Sequence, residues 1–355
     1  MIERKYILKG FLRNQVNFVV NEDLFLSHHY NIYIEKYAKR STKAYEVDLK
    51  SKRKHILSTL GEYFERETLI NENSPNKETI NCTSLISVKV QEFKLESILF
   101  KNKFVDSSGM ASQRHSAPLI WTAYKEFFER QSFISNYLFQ TNAEQMTIKN
   151  SNEAENIEKY LYNFLDKITY YNNSLSEHLF VILAVGHGSV YKAVGLGTSR
   201  SGEKALIKAQ KEIMQYFAVS FSKFKNDKIT IDHKNRSYEN KDVYHDNFDK
   251  ISIEKFKESF NYLQNSKEVK LENSTEIKKL NYEKVIRDIS DSINMNPYIA
   301  MFENNHAKNV KVVKVFDPNW FPHMAPKNFS VKTINYVGGI LGLKRKNFSD
   351  LLPFP

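Results

Sequence analysis

Two eleven-residue stretches place acids where chemistry can use them. ILSTLGEYFER (56–66) and IWTAYKEFFER (120–130) stand at a constant offset of 64 and agree at five of eleven positions, the second running on into KEFFERQ (125–131). Each contains Glu-x-x-Glu-Arg: Glu62, Glu65 and Arg66 in one, Glu126, Glu129 and Arg130 in the other. On a helix, acids three apart share a face with roughly 5–6 Å between Cβ atoms, and the arginine lies beside them. A single face of this kind is ordinarily just solvated, opposite an apolar stripe. Solvation does not specify which charge stands at which position, and here two segments agree in register. Four carboxylates turned into one cleft repel unless cations hold them. Oxygen ligands suit Mg²⁺, which keeps waters and takes phosphate oxygens, and arginine neutralises phosphate directly. This is the chemistry of a nucleoside triphosphate site, and not of a P-loop, since the chain has no G-x-x-x-x-G-K-[ST].

A weaker third copy, LIKAQKEIMQY (206–216), follows at an offset of 86 from the second. Glu212 keeps the first carboxylate and Gln215 replaces the second, opposite Leu206, Ile207, Ile213 and Met214. DSSGMAS (106–112) and VGLGTS (194–199) precede the second and third copies. As glycine-containing loops before helix N-termini, they would offer backbone N–H groups to an anion.

The elements that must position these residues follow from periodicity. Helical spacing covers 50–70, 117–140 and 203–222, with Ile56, Leu57, Leu60, Tyr63 and Phe64 on one apolar arc and Ile120, Trp121, Tyr124, Phe127 and Phe128 on the matching one. SLISVKVQEF (84–93), HLFVILAV (178–185), VYKAVGLG (190–197) and NVKVVKVFD (309–317) read as strands, and the GHGS turn (186–189) joins two of them as a hairpin. Strands and helices alternate, so the fold class is α+β. From about 223 to 296 the chain is polar and Lys/Asn-rich, which predicts a peripheral helical insertion or a cover.

Composition bounds the partners. The chain has 355 residues, 41% of them hydrophobic, and Lys and Arg outnumber Asp and Glu by 52 to 41, a net charge of +11 that favours an anionic partner. Its single cysteine, Cys82, excludes an intramolecular disulfide and a cysteine-based zinc cluster and fits a cytoplasmic setting. The longest apolar run, LFVILAV (179–185), is far short of the roughly 20 residues of a membrane helix. Aromatics make up 13%, but no RNP, KH or zinc-finger pattern accompanies them, so neither membrane nor nucleic acid is an expected partner.

In order along the chain, GEYFER (61–66), SSGMAS (107–112) before KEFFERQ, GLGTS (195–199) before ALIKAQKEIMQ (205–215), and the terminal PFP (353–355) resemble the YcaO-domain family, ATP-dependent enzymes that activate peptide backbone amides. The likeness runs from about residue 40 to the C-terminus. It is greatest to the discrete cyclodehydratase subunit of microcin-type thiazole/oxazole synthetases, which also has a segment like VVKVFDPNWFPHM (312–324). The resemblance implies one YcaO-like catalytic domain over 1–355, with three related helical segments around a central nucleotide cleft and a catalytic tail at 351–355. It implies ATP and Mg²⁺ as cofactors. Glu62, Glu65, Glu126 and Glu129 would then bind metal and ATP, Arg130 would contact phosphate, and Lys208, Glu212 and Gln215 would belong to the nucleotide site. Where many members carry a Gly-Lys-Gly-type loop, this chain reads YEVDLKSKRK (45–54), with Ser51 and Lys52 as the matching nucleotide contacts.

The implied reaction turns Cys, Ser or Thr of a ribosomally made precursor peptide into thiazolines or oxazolines, the displaced amide oxygen leaving as phosphate. Prolines fix φ, so Pro353 and Pro355 would hold an extended tail in a groove, with Pro355 delivering the terminal carboxylate as a catalytic group. The chain leaves no room for a leader-recognition module, so an E1-like partner would supply it, and a flavin-dependent azoline dehydrogenase would complete a synthetase. Thioamide formation, macroamidine formation and a catalytically inactive scaffold or binding protein are the alternatives.

Overall fold

The computed structural model describes residues 2–5, 18–25, 29–36, 43–48, 58, 60–62, 64–66, 68–69, 78–100, 106–147, 151–226, 243–270, 281–302 and 309–355. The expected contacts Ser51 and Lys52 lie outside them.

The described strands form three sheets. β1 (Ile2–Lys5), β2 (Phe18–Phe25), β3 (His29–Lys36) and β4 (Lys43–Asp48) make an antiparallel meander in chain order. β5 (Thr79–Ser84), β6 (Val90–Lys94), β7 (Met110–Gln113), β13 (Tyr298–Phe302) and β14 (Lys311–Phe316) make a five-stranded antiparallel sheet in the order β6-β5-β13-β14-β7. β8 (Glu144–Thr147), β9 (Lys167–Asn172), β10 (Phe180–His187), β11 (Lys192–Ser199) and β12 (Lys267–Lys270) make the third, ordered β11-β10-β9-β8-β12, with only the β8–β12 pair parallel.

The helices are α1 (helical residues within 58–69), α2 (Glu96–Leu99), α3 (Ser116–Phe139), α4 (Asn152–Leu161), α5 (Gly202–Asn226), α6 (Val243–Lys250), α7 (Ile253–Ser259), α8 (Tyr282–Ser292) and α9 (Val331–Leu341). Strands and helices mix along the chain, as the α+β reading expects. The GHGS hairpin is present, with Gly188 N–H donating to Tyr191 O at 2.7 Å.

One strand reading needs correction: SLISVKVQEF is not continuous. Its first residue ends β5, a turn follows, and β6 starts at Val90. Ser84 closes the turn. Its Oγ accepts from Ile86 N–H (3.2 Å) and Ser87 N–H (3.1 Å), its carbonyl accepts from Val88 N–H (3.0 Å), and Val88 sits at φ 59°. Local side-chain bonding of this kind competes with a ladder, and apolar alternation does not reveal it.

α3 lies between the two five-stranded sheets, against β7 and β14 of one and β10 and β11 of the other. It is buried on every side from Gln131 to Phe139, as a helix between two layers must be. Two of its polar side chains are satisfied inside. Gln131 Nε2 donates to Phe321 O (2.8 Å) while its Oε1 accepts from Phe321 N–H (2.9 Å), and Asn136 Oδ1 accepts from Tyr262 OH (2.7 Å). The 223–296 stretch also reaches this core. Phe248 on α6, Phe256 on α7, Phe260, Leu263, and Ile286 and Ile289 on α8 are buried in the same cluster as Phe128 and Phe133. Among the described residues there, most of the apolar side chains are buried or partly buried.

α5 packs directly on β11. A Cβ on Gly195 would overlap the carbonyl oxygen of Ala209, and one on Gly197 that of Ala205. The glycines of VGLGTS are therefore strand residues that admit a helix, and not a loop before one. DSSGMAS likewise differs from the expected loop. Its first part is a turn closed by Met110 N–H on Ser107 O (2.8 Å) with Gly109 at φ 75°, and its last residues begin β7. Neither stretch presents a glycine loop to an anion.

Candidate functional site

The acids of the repeat face inward. α1 lies so close to β7 that a Cβ on Gly61 would stand 2.9 Å from Ser112 Oγ. Glu65 thereby sits beside Ser112 and near Glu126 of α3; burial, then the charges of Glu126 and Glu62, push its carboxyl well above the usual range. Glu62, one turn earlier, accepts from Arg66 of its own helix at 2.7 Å.

α3 supplies the centre. Burial, then the Glu129 charge, raise Glu126 to about 8 against the pull of Arg130. Glu129 is only 8% exposed, and its Oε2 accepts from Thr198 Oγ1 of β11 at 2.8 Å. Arg130 reaches across to α5, where its Nη2 stands 3.4 Å from Glu212 Oε1. Its Nη1 is 3.9 Å from Glu129 Oε1 and, though buried, has no hydrogen-bond partner. Against the cost of burial, Glu212, Glu129 and Glu126 keep the guanidinium firmly charged.

α5 closes the far side. Glu212 accepts from Leu196 N–H of β11, and burial followed by Glu129 raises it to about 7. Lys208, one turn earlier, donates to Thr198 O at 2.9 Å. Lys125 of α3 approaches it, and burial, then the Lys208 charge, bring Lys125 down to about 7. Gln215 is half-buried three residues beyond Glu212.

The tail arrives at the same place. Phe354 is 6% exposed, with its ring centroid 4.8 Å from Arg130 Cζ, and Pro355 follows half-buried.

Thus Glu62, Glu65, Glu126, Glu129, Arg130, Lys208 and Glu212 converge from α1, α3 and α5, with the PFP end beside Arg130. The sequence reading missed Lys125, Thr198 and Phe354, each next to a motif residue but of a type too common to flag. It also missed a neighbouring group under Glu126. Lys314 of β14, 1% exposed, donates to Asp106 O at 3.1 Å. Against the cost of burial, the Lys314 charge and hydrogen bonds hold Asp106 below the usual carboxylate range. Asp106 Oδ2 accepts from Tyr244 OH of α6 (2.8 Å) and from Met324 N–H (3.0 Å). A lysine inside the VVKVFD strand and an acid opening DSSG carried no pattern that joined them.

Among the described residues, no group of three or more His, Cys, Asp or Glu is disposed to hold a metal ion alone. Magnesium shared with phosphates and water asks for only one or two carboxylates, and the acids here stand in such pairs. Crowded carboxylates that stay partly protonated fit a bound cation. The partnerless Arg130 Nη1 and the lysines beside Thr198 fit an anion. The donor set therefore suits a magnesium–triphosphate group.

No protein-family model and no curated protein matches this chain. Solved structures do. A chain of the E. coli microcin synthetase McbBCD complex is similar at TM-score 0.70 and 16% identity, and a chain of the same complex with pro-MccB17 bound at TM-score 0.70 and 19% identity, each over 100% of both chains. YcaO from Methanopyrus kandleri, bound with AMPPCP and Mg²⁺, is similar at TM-score 0.64 and 13% identity over 84% of both chains. At these identities the likeness establishes the fold.

Proposed function

We propose that this chain, carrying a YcaO-like fold, is an ATP- and Mg²⁺-dependent cyclodehydratase that forms thiazolines or oxazolines from Cys, Ser or Thr of a ribosomally made peptide. The observation that carries the reading is the convergence of both Glu-x-x-Glu pairs, Arg130 and Glu212 on one another from three helices. Support also comes from the solved M. kandleri structure of this fold, which holds AMPPCP and Mg²⁺, and from the microcin synthetase complex, one structure of which has pro-MccB17 bound.

In this reading Glu62, Glu65, Glu126 and Glu129 hold the metal. Arg130 directs its free Nη1 to phosphate oxygen, and Lys125 and Lys208 add positive charge on the side of Thr198. Mg²⁺, when bound, neutralises the triphosphate and withdraws electrons from the transferred phosphorus. The peptide's thiol or hydroxyl gives up its proton as it adds to the preceding amide carbon, the carbonyl oxygen takes the γ-phosphoryl group from ATP with ADP leaving, and loss of phosphate and the amide N–H proton leaves the ring. Arg130 stabilises the charge that develops on the phosphoryl oxygens. The terminal carboxylate of Pro355 would accept a proton. Ser51 and Lys52 complete the nucleotide contacts.

The domain reading goes with it: one catalytic unit over 1–355, a cover at about 223–296 and a working tail at 351–355. The partners are a precursor peptide, a leader-binding E1-like protein and a flavin-dependent dehydrogenase, in the cytoplasm. Among the described residues no helix is long and apolar enough to cross a membrane.

Mass spectrometry of the precursor peptide incubated with this protein, its leader-binding partner, ATP and Mg²⁺ tests the reaction. Loss of one water per modified residue is expected. Exchange of oxygen for sulfur would replace the reading with thioamidation, and an unchanged peptide with no ATP consumed would favour an inactive scaffold.

A further inference from the structure

The last twelve residues run back along α3. Lys346 N–H and Asn347 N–H both donate to Leu138 O (2.9 and 3.0 Å), near the helix C-terminus. Ser349 Oγ stands 3.4 Å from Tyr137 OH, and Phe354 packs on Phe133 with ring centroids 5.5 Å apart and covers Arg130. Residues 137, 133 and 130 lie four and three apart, so the tail follows one face of the helix toward the cleft. Leu352, 1% exposed, fixes the approach.

Phe354 ends in a position that an apolar plug alone would not need. The guanidinium of Arg130 has three neighbours, Glu212 at Nη2, the Phe354 ring at Cζ and, more distantly at 3.9 Å, Glu129 at Nη1, which is buried and makes no hydrogen bond among the described residues. A carboxylate at 3.4 Å sets one edge of a guanidinium but not its plane. A ring face does set the plane, because its quadrupole attracts the cation and its area excludes water. We propose that Phe354 is a positioning residue for nucleotide binding: its ring holds the Arg130 guanidinium plane so that Nη1 meets phosphate oxygen, which makes the nucleotide site complete only when the tail is docked. This rests on the function proposed above and adds a role for the aromatic of PFP that is separate from any role of the terminal carboxylate.

The test is equilibrium binding of AMPPCP–Mg²⁺ by calorimetry to the full chain, to Phe354→Leu and to Phe354→Tyr, with thermal melting of each. Leucine keeps most of the apolar area and removes the ring; tyrosine restores the ring. Phe354→Leu is expected to bind about five- to thirtyfold more weakly at a similar melting temperature, and Phe354→Tyr to recover most of that loss. Equal affinities for wild type and Phe354→Leu would overturn the inference. So would equal weakening in both variants, which would mean that shape and not the ring face matters. A wild-type chain that does not bind AMPPCP–Mg²⁺ would remove the nucleotide reading itself, and this inference with it.

Discussion

α1 and α3 carry the same Glu-x-x-Glu-Arg and use it differently. On α1, Arg66 turns back to Glu62 of its own helix at 2.7 Å, with 32% and 21% of the two side chains exposed. On α3, Arg130 leaves its helix for Glu212 of α5 and lies under Phe354, with 14% of its side chain exposed. The difference comes from what surrounds each helix. α3 has a sheet on either side and the tail along it, so its arginine has little access to water and reaches a partner in another element. Identical local spacing thus yields a half-buried pair within one helix in one copy and the hub of a more deeply buried charge network in the other.

Replacing the two arginines separately should expose this asymmetry most strongly. Arg130→Met removes the guanidinium that faces Glu212 and is expected to weaken AMPPCP–Mg²⁺ binding about a hundredfold and destabilise the fold by about 3 kcal/mol, as for a broken buried pair. Arg66→Met is expected to change stability by no more than about 0.5 kcal/mol, the worth of an exposed i,i+4 pair. Calorimetry and urea unfolding of both variants check this, and equal effects would erase the contrast.

Gly197→Ala should act next, on the third helix. The added methyl would overlap Ala205 O and push α5 from β11, taking Glu212 from Arg130. A loss of about 2 kcal/mol is expected, the cost of overpacking. Gly339→Ala on α9, where a Cβ meets nothing within 4 Å, is expected instead to gain about 0.5–1 kcal/mol from helix propensity. Chemical denaturation of the pair separates close approach from generic glycine effects.

A further comparison lies in pH. Glu126 titrates near 8 in the fold against an ordinary 4.5. Across that window the folded state holds a proton that the unfolded chain releases, so this carboxyl lowers stability as pH rises from 4.5 towards 8. Without Mg²⁺, the melting temperature of Glu126→Gln should therefore fall less steeply than that of wild type between about pH 5 and pH 7. Parallel curves would show that Glu126 is not in the crowded environment described.

Much of this was legible in the sequence. The repeat stood out because Glu and Arg recur at fixed positions, and the strand runs of β10, β11 and β14 because they are rich in apolar, largely β-branched residues. What escaped did so for physical reasons. Ser132, Ser135 and Asn136 are polar by type yet buried, and helical spacing over 117–140 does not reveal it. The glycines of β11 read as a phosphate loop because composition cannot distinguish a glycine that turns the chain from one that admits a helix. The resemblance brought the tail to the site, but only tertiary packing reveals that Phe354 covers Arg130.

The central claim is that the carboxylates of α1 and α3 meet over one magnesium–triphosphate group. Calorimetric titration of AMPPCP with and without Mg²⁺ into wild type and into Glu65→Gln/Glu126→Gln tests it most directly. The account predicts magnesium-dependent binding to wild type and loss of the magnesium dependence in the double variant. Equal, magnesium-dependent affinity in both would contradict it.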